Sequence, residues 1–532
     1  MYLRSRDSIV LNSNPFMSFI DDPKTEYNNQ LVRSTNMLIS ALRFLKSLRA
    51  GILEPEVYHL NPAKSNNDRF RTVTRLLPSA ISWYGAYFFK AFPLDMSQYS
   101  NLFNATRIPE KDKDRLFKDE SAKHILVIKN GNFFTFDVFD QNGNILDAGH
   151  IYKCMKYIVE DIKVTTPDFP VSYLTSENRN TWANAREQMM QCGNSSAMNR
   201  IDSALFALIL DDAKPGSDPI NLFRNMLYGD GSNRWFDKCF QLIVAKDGKA
   251  AVNFEHSWGD GVAVLRFFNE IFQDSTQNPR ITPNYSTNAK VDPSQSMAYH
   301  RQTGCTVASY ESCSTSAFRH GRTETIRPAT SATKECSEAF SKTPLSSNLR
   351  PLLDKCSSMH NELTKNAAMG QGFDRHLFAL KYLAAEKNMK MPAIFKDSSY
   401  QLINHIIIST STLSSPAAEV GGFGPVVKDG LGIGYLITDD MAASVVTSYP
   451  PNRDGPDSTP NPRIAPNYST NAKVDSSQSV TKIGGFDSTF IRSEVFGHRK
   501  EHENENGSNI QTNIIVPTLS YRRQLYRLLP LK

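Results

Sequence analysis

The sequence predicts an α/β protein in which mixed sheet is flanked by helices. Three observations carry that expectation. Short apolar runs are joined in pairs by turn dipeptides of the hairpin kind, stretches of helical periodicity lie between and after them, and 532 residues with 40% hydrophobic and 21% charged content supply core for more than one domain.

The elements follow in order. Leu31, Met37, Leu38, Ala41, Leu42 and Leu45 recur at helical spacing and predict an amphipathic helix over 30–50. The apolar run from His124, the pair Asn130-Gly131 and the run from Phe133 predict a β-hairpin. A second hairpin is predicted from Phe240 to Phe254, turning at Lys246-Asp247-Gly248, followed by Glu255-His256-Ser-Trp-Gly-Asp260-Gly and a helical run over Val262 to Phe272. Gly430-Leu-Gly432-Ile-Gly434 superficially suggests a dinucleotide loop, but Tyr435-Leu-Ile-Thr continues as strand, so the reading is strand–turn–strand with the turn at Lys428-Asp429-Gly430.

Composition narrows the function classes. Sixty basic against 54 acidic residues leave a net charge of +6, too mild for a basic nucleic-acid-binding tail, and no nucleic-acid partner is expected. Seven cysteines without a CxxC argue for a reducing compartment and against a disulfide framework or a cysteine-rich zinc site; no metal is expected, since neither HExxH nor paired Cys/His spacing occurs. The N-terminus has no apolar signal region, and no apolar run reaches the ~18 residues of a spanning helix. The nearest approach, Leu76 to Phe92, follows Arg69, Arg71 and Arg75 and contains Trp83, Tyr84, Tyr87, Phe88 and Phe89. Basic heads beside amphipathic rings suit a bilayer interface; a helix-and-loop buried on the core fits the same composition.

Residues 274–296 are polar and rich in Pro and Asn, and read as a linker. The same segment returns almost verbatim at 457–479; two copies without an apolar face do not make a solenoid. The domain reading is therefore 1–273, a linker at 274–296, a second domain at 297–450, and the repeated linker with a disordered tail at 451–532.

Three constellations could carry chemistry. His256 and Asp260 form an HxxxD motif after a strand: a general base, and a carboxylate able to reach back to the ring if the segment turns helically. A structural histidine in a strand-to-helix loop satisfies the same residues. Tyr310-Glu-Ser312, with Arg322-Thr323-Glu-Thr, offers a guanidinium and hydroxyls for a carboxylate; an exposed polar loop is the plainer reading. Ile408-Ser-Thr-Ser411-Thr places hydroxyls at the end of an apolar strand, where one could donate to an oxyanion, or simply line a wet face.

Together these residues resemble the carnitine/choline acyltransferase family, most closely its long-chain mitochondrial members. Pro93-Leu-Asp-Met-Ser-Gln-Tyr99, Tyr173-Leu-Thr-Ser-Glu-Asn-Arg179, Gly231-Ser-Asn-Arg-Trp-Phe-Asp237 and Gly370-Gln-Gly-Phe-Asp-Arg-His376 extend the resemblance in family order over residues 1 to about 450. It implies two similar acyltransferase domains with an active-site tunnel between them. It implies reversible transfer of a long-chain acyl group between coenzyme A and carnitine, both cosubstrates, with no permanently bound cofactor. On that pattern His256 is the base, Asp260 holds its ring and Ser411 stabilises the oxyanion. Tyr310, Ser312 and Thr323 bind carnitine, and Arg322 pairs with its carboxylate. Phe423 lies near the trimethylammonium group, and Gly421 leaves the acyl channel open to long chains. Residues 69–92 match a segment dipping into the inner mitochondrial membrane on its matrix side. A choline acyltransferase on the same scaffold is disfavoured, because choline has no carboxylate for Arg322.

Three departures from the family pattern are expected to matter. The chain starts inside the family's catalytic region, without an import sequence. His256 and Tyr310 are only 54 positions apart, about half the family's spacing, so the Lys-rich loop that grips the CoA phosphates is missing across the 296–297 junction. The closing helix after Tyr449-Pro-Pro is replaced by the repeated linker. The alternative to an active enzyme is thus an impaired remnant that binds carnitine or lipid.

Overall fold

The computed structural model describes residues 2–78, 81–162, 164–282, 307–341, 350–437, 442–449, 481–482 and 511–515. The 296–297 junction, most of the first linker, its repeat and nearly all of the tail lie outside these residues. The chain divides into two compact units that interleave along the sequence: Met1–Lys46, Asn101–Gln295 and Thr412–Val516 in one, Ser47–Ser100, Ser296–Ser411 and Pro517–Lys532 in the other.

In the first unit, β1 (Phe16–Phe19), β2 (His124–Lys129), β3 (Asn132–Asp137), β4 (Ala207–Asp211), β5 (Phe240–Ala245) and β6 (Ala250–Phe254) belong to one mixed sheet. β2, β4 and β5 run parallel, with Leu126 opposite Ala207 and Ala207 opposite Gln241. These strands are buried on both faces, as near-continuous apolar runs require. Both predicted hairpins form. Asn130 and Gly131 turn with φ of 48° and 69°, the left-handed pair that matches strand twist. Gly248 has φ 88°, and a Cβ there would stand 1.9 Å from the Asn28 carbonyl oxygen, so that turn admits only glycine.

Helix α1 (Gln30–Arg49) forms where the periodicity placed it, but it is not half-solvated: every residue from Gln30 to Leu42 is buried. Its polar stripe is satisfied by backbone. Gln30 Nε2 donates to the Asp211 and Val244 carbonyls at 2.9 Å each, and Arg33 Nη1 donates to the Gly248 carbonyl at 3.0 Å. Helix α2 (Gly261–Gln277) packs Phe267, Phe268 and Ile271 into the core. It runs past the expected linker start: Asp274 is helical and accepts from Ser40 Oγ at 2.8 Å and Arg43 Nη1 at 2.9 Å.

In the second unit, β7 (Ser309–Ser314) pairs antiparallel with β8 (Thr323–Ile326) and parallel with β9 (Ile408–Thr412), again a mixed arrangement. Helices α3 (Ser331–Ser341), α4 (Arg350–Ala368) and α5 (Asp374–Glu386) follow β8. Only Ala384 is buried along α5, while Phe378, Leu380, Tyr382 and Leu383 are exposed. In the same unit the short helices Asp68–Leu76 and Ser82–Phe88 bury Phe70, Ala86 and Ala91 together. The aromatic cluster is not core, as the buried-helix reading would have it: Trp83, Tyr84, Tyr87 and Phe88 are 50–83% exposed. No helix among the described residues is long and apolar enough to cross a membrane.

The chain then returns to the first unit. β10 (Ala418–Gly422) adds to β1 antiparallel, with Gly421 opposite Met17, and β11 (Leu431–Ile437) pairs with β12 (Ala442–Ser448). The glycines of the apparent dinucleotide loop serve close backbone approach. A Cβ on Gly434 would lie 2.5 Å from the Gly421 carbonyl oxygen, and one on Gly432 would lie 2.9 Å from that of Phe423.

Candidate functional site

His256 leaves the end of β6, and its backbone N–H is fixed by the Ser13 carbonyl at 2.7 Å. The ring is half-buried and stacks on Tyr2, centroids 5.3 Å apart and planes 13° from parallel. Residues 256–258 form a turn between β6 and α2. Asp260 caps α2, its buried Oδ1 accepting from Val262 N at 3.2 Å and Ala263 N at 3.3 Å. Gly261 opens the helix where the Leu413 side chain comes close: a Cβ there would be 2.7 Å from Leu413 Cδ1. Beneath the loop, Trp258 is buried and donates to the Cys239 carbonyl at 2.7 Å.

In the second unit the register collects hydroxyls. Ser312 stands opposite Thr325 and Ser314 opposite Thr323, while Tyr310 pairs with Ser409 across the parallel ladder. Directly opposed residues share a face and strands alternate, so Tyr310, Ser312, Thr323, Ser409 and Ser411 lie on one side of β7, β8 and β9. Glu311, Cys313, Glu324 and Thr410 lie on the other. Burial and the Glu311 and Glu324 carboxylates there push the Cys313 thiol up to about 11, which removes it as a nucleophile near neutral pH.

Arg375, at the start of α5, reaches Thr323 at the start of β8 and Glu324 beside it. Its Nε donates to the Thr323 carbonyl at 3.2 Å, its Nη2 lies 3.3 Å from Thr323 Oγ1, and its backbone N–H donates to Glu324 Oε1 at 3.2 Å. Arg322 precedes β8, and its carbonyl accepts from Thr315 N at 3.0 Å. The sequence points to Arg322 and not to Arg375, for which the one signal is the charged triplet Asp374-Arg375-His376 opening a helix.

Gly421 and Phe423 sit in and just beyond β10 in the first unit. A Cβ on Gly421 would lie 3.0 Å from the Phe16 carbonyl oxygen, so a bulkier residue has to displace β1 or rotate past it. The Phe423 carbonyl accepts from Thr447 Oγ1 at 2.9 Å, which fixes the chain carrying that ring. The structure thus gathers Tyr310, Ser312, Thr323 and Ser411 on one face, His256 and Asp260 in one loop, and Gly421 and Phe423 on one strand and its exit.

The chain matches the choline/carnitine O-acyltransferase family model over residues 1–296 and again over 284–459. It is 51% identical to the human carnitine O-palmitoyltransferase 2, mitochondrial, across 85% of this chain and 78% of that protein. It is 52% identical to the mouse protein of the same name over 84% of the chain and 78% of that relative. A pigeon carnitine O-acetyltransferase is 27% identical over 82% of the chain and 75% of its own length.

Proposed function

This chain belongs to the choline/carnitine O-acyltransferase family and is an enzyme of that kind; on that premise we propose that it moves a long-chain fatty acyl group reversibly between coenzyme A and carnitine. The observation that carries the reading is the common face of Tyr310, Ser312, Thr323 and Ser411, bordered by the Arg375 guanidinium. Hydroxyls beside a planar cation match a small zwitterion with a carboxylate at one end.

His256 removes the proton from the carnitine hydroxyl, or from the CoA thiol in the reverse direction. The oxygen or sulfur attacks the acyl carbonyl, and Ser411 Oγ donates to the resulting oxyanion, a donor of a kind whose loss costs ~3–4 kcal/mol. Collapse of the tetrahedral adduct expels the other carrier, which recovers the proton from His256. Holding both substrates together supplies the proximity term without a covalent enzyme intermediate. Asp260 holds the His256 ring, and its Oδ1 also caps α2. Tyr310, Ser312 and Thr323 bind carnitine and Arg322 pairs with its carboxylate, with Arg375 touching Thr323 in space. Phe423 offers an aromatic face to the trimethylammonium group. Gly421 leaves room for a long acyl chain.

The exposed rings Trp83, Tyr84, Tyr87 and Phe88, with the exposed Arg69, Arg71 and Arg75, support contact with a membrane surface, read as the matrix face of the mitochondrial inner membrane. The decisive assay is steady-state palmitoyl transfer from palmitoyl-CoA to carnitine. His256→Ala abolishes transfer and leaves carnitine affinity intact; near-wild-type turnover in that variant removes His256 from the mechanism, while an inactive wild type leaves the binding-remnant reading in its place.

A further inference from the structure

A buried ion network lies directly behind His256. Glu255, the preceding residue, is 1% exposed; its Oε1 accepts from Arg107 Nη1 at 2.9 Å and its Oε2 from Ser257 N at 3.1 Å. Arg107, fully buried at its side chain, donates Nε to Asp114 Oδ2 at 2.7 Å and Nη2 to the Tyr2 carbonyl at 2.8 Å. Asp114 accepts in turn from Arg179 Nε at 2.7 Å and Arg6 Nη2 at 2.9 Å, and Arg179 Nη1 reaches Asp237 Oδ1 at 2.7 Å. Trp182 Nε1 closes the far end on Asp237 Oδ2 at 2.6 Å. Arg6, Arg107 and Arg179 balance Asp114, Glu255 and Asp237, so the group is neutral as a whole.

One member of this network, Arg107, is linked to the His256 region by two routes. Through Glu255 the Arg107 guanidinium is linked to the Ser257 N–H, in the peptide unit that follows His256. Through the Tyr2 carbonyl it holds the residue whose ring stacks on the imidazole. Its planar fork serves three acceptors in three directions, which a lysine ammonium on a flexible stem does not reproduce. We propose that Arg107, acting through Glu255 and Tyr2, is a positioning residue for His256: it sets the direction of the imidazole rather than contacting substrate. The proposal rests on the reading of His256 as the general base.

The test is steady-state kinetics of palmitoyl transfer in Arg107→Lys and Glu255→Gln, with Asp237→Asn and His256→Ala as comparisons, each checked by circular dichroism at the assay temperature. Arg107→Lys keeps the charge, and Glu255→Gln keeps the length and one acceptor. In both, kcat falls by on the order of tenfold to a hundredfold, the cost of a small misplacement of a reacting group, while KM for carnitine stays within about twofold. Asp237→Asn, at the distal end, lowers the melting temperature and keeps kcat. Unchanged kcat in a folded Arg107→Lys or Glu255→Gln overturns the proposal, as does an equal loss in folded Asp237→Asn, which would make the network a general support. If Arg107→Lys does not fold, Glu255→Gln alone carries the decision. An active His256→Ala would instead sink the base assignment itself, so the two failures are separable.

Discussion

Replacing Arg375 by glutamine removes a guanidinium from the edge of the hydroxyl face while preserving most of the side-chain volume. In the free enzyme Arg375 Nε and Nη2 are engaged with Thr323 at 3.2 and 3.3 Å, both long contacts, so the guanidinium is held at the hydroxyl without being tightly consumed by it. A hydrogen bond to a charged group contributes ~1.5–3 kcal/mol. One such bond to the carnitine carboxylate therefore corresponds to a rise in KM for carnitine of about tenfold to a hundredfold, at ~1.4 kcal/mol per factor of ten. The assay is initial rate against carnitine at saturating palmitoyl-CoA, repeated with choline. Choline has no carboxylate, so Arg375→Gln should leave any turnover of choline unchanged. A cycle with Thr323→Val should show the two residues coupled, since they touch. The reasoning is refuted if KM for carnitine stays within about twofold of wild type, or if choline turnover falls in step with carnitine turnover. Were Arg322→Gln to carry the whole rise in KM, the Arg375 contact with Thr323 would be structural.

Three further outcomes follow from the same geometry. His124 is buried and its Nε2–H donates to the Arg200 carbonyl at 2.8 Å; burial pushes its pKa down to about 4. Neutral when folded and protonated near pH 6.5 when unfolded, it contributes stability that is complete above about pH 6.5 and lost as pH falls to about 4, an effect of about 3 kcal/mol. Urea midpoints at pH 7 and 4.5 should differ less in His124→Gln, and equal differences would exclude this group. Trp83→Ala and Phe88→Ala should weaken sedimentation with anionic phospholipid vesicles by roughly 1.5–3 kcal/mol each, from the apolar side chain withdrawn from the bilayer; unchanged binding would return this surface to the solvent. The exposed Phe378, Leu380, Tyr382 and Leu383 of α5 should bind a hydrophobic dye, and the chain should melt in more than one step; a single cooperative transition with no dye binding would show that the second unit is intact.

Much of this architecture is written in neighbouring residues. Asn130, Gly131 and Gly248 specify their turns through left-handed backbone conformations that few other residues adopt, and the apolar runs beside them form strands. The extent of burial was less legible. The polar residues of α1 look solvated in a periodic pattern, yet Gln30 and Arg33 bond to carbonyls that are 181 and 215 residues away in the chain. The helix α2 likewise runs beyond its apolar stretch because Ser40 and Arg43 meet Asp274.

The candidate site divides along the same line. HxxxD, the Tyr-x-Ser pair and the Ser/Thr strand could be singled out by residue type, because chemistry depends on functional groups that a sequence spells directly. That Tyr310, Ser312, Thr323 and Ser411 share a face depends on the register of three strands, and a slip of one residue would turn each onto the opposite side. Arg375 reaches Thr323 across 52 positions, and Arg107 reaches Glu255 across 148. Turn and strand preferences act between adjacent residues and can be read one window at a time. Hydrogen bonds and ion pairs act through space, so which cation meets which hydroxyl or carboxylate is settled only when the chain packs and excludes water from between them.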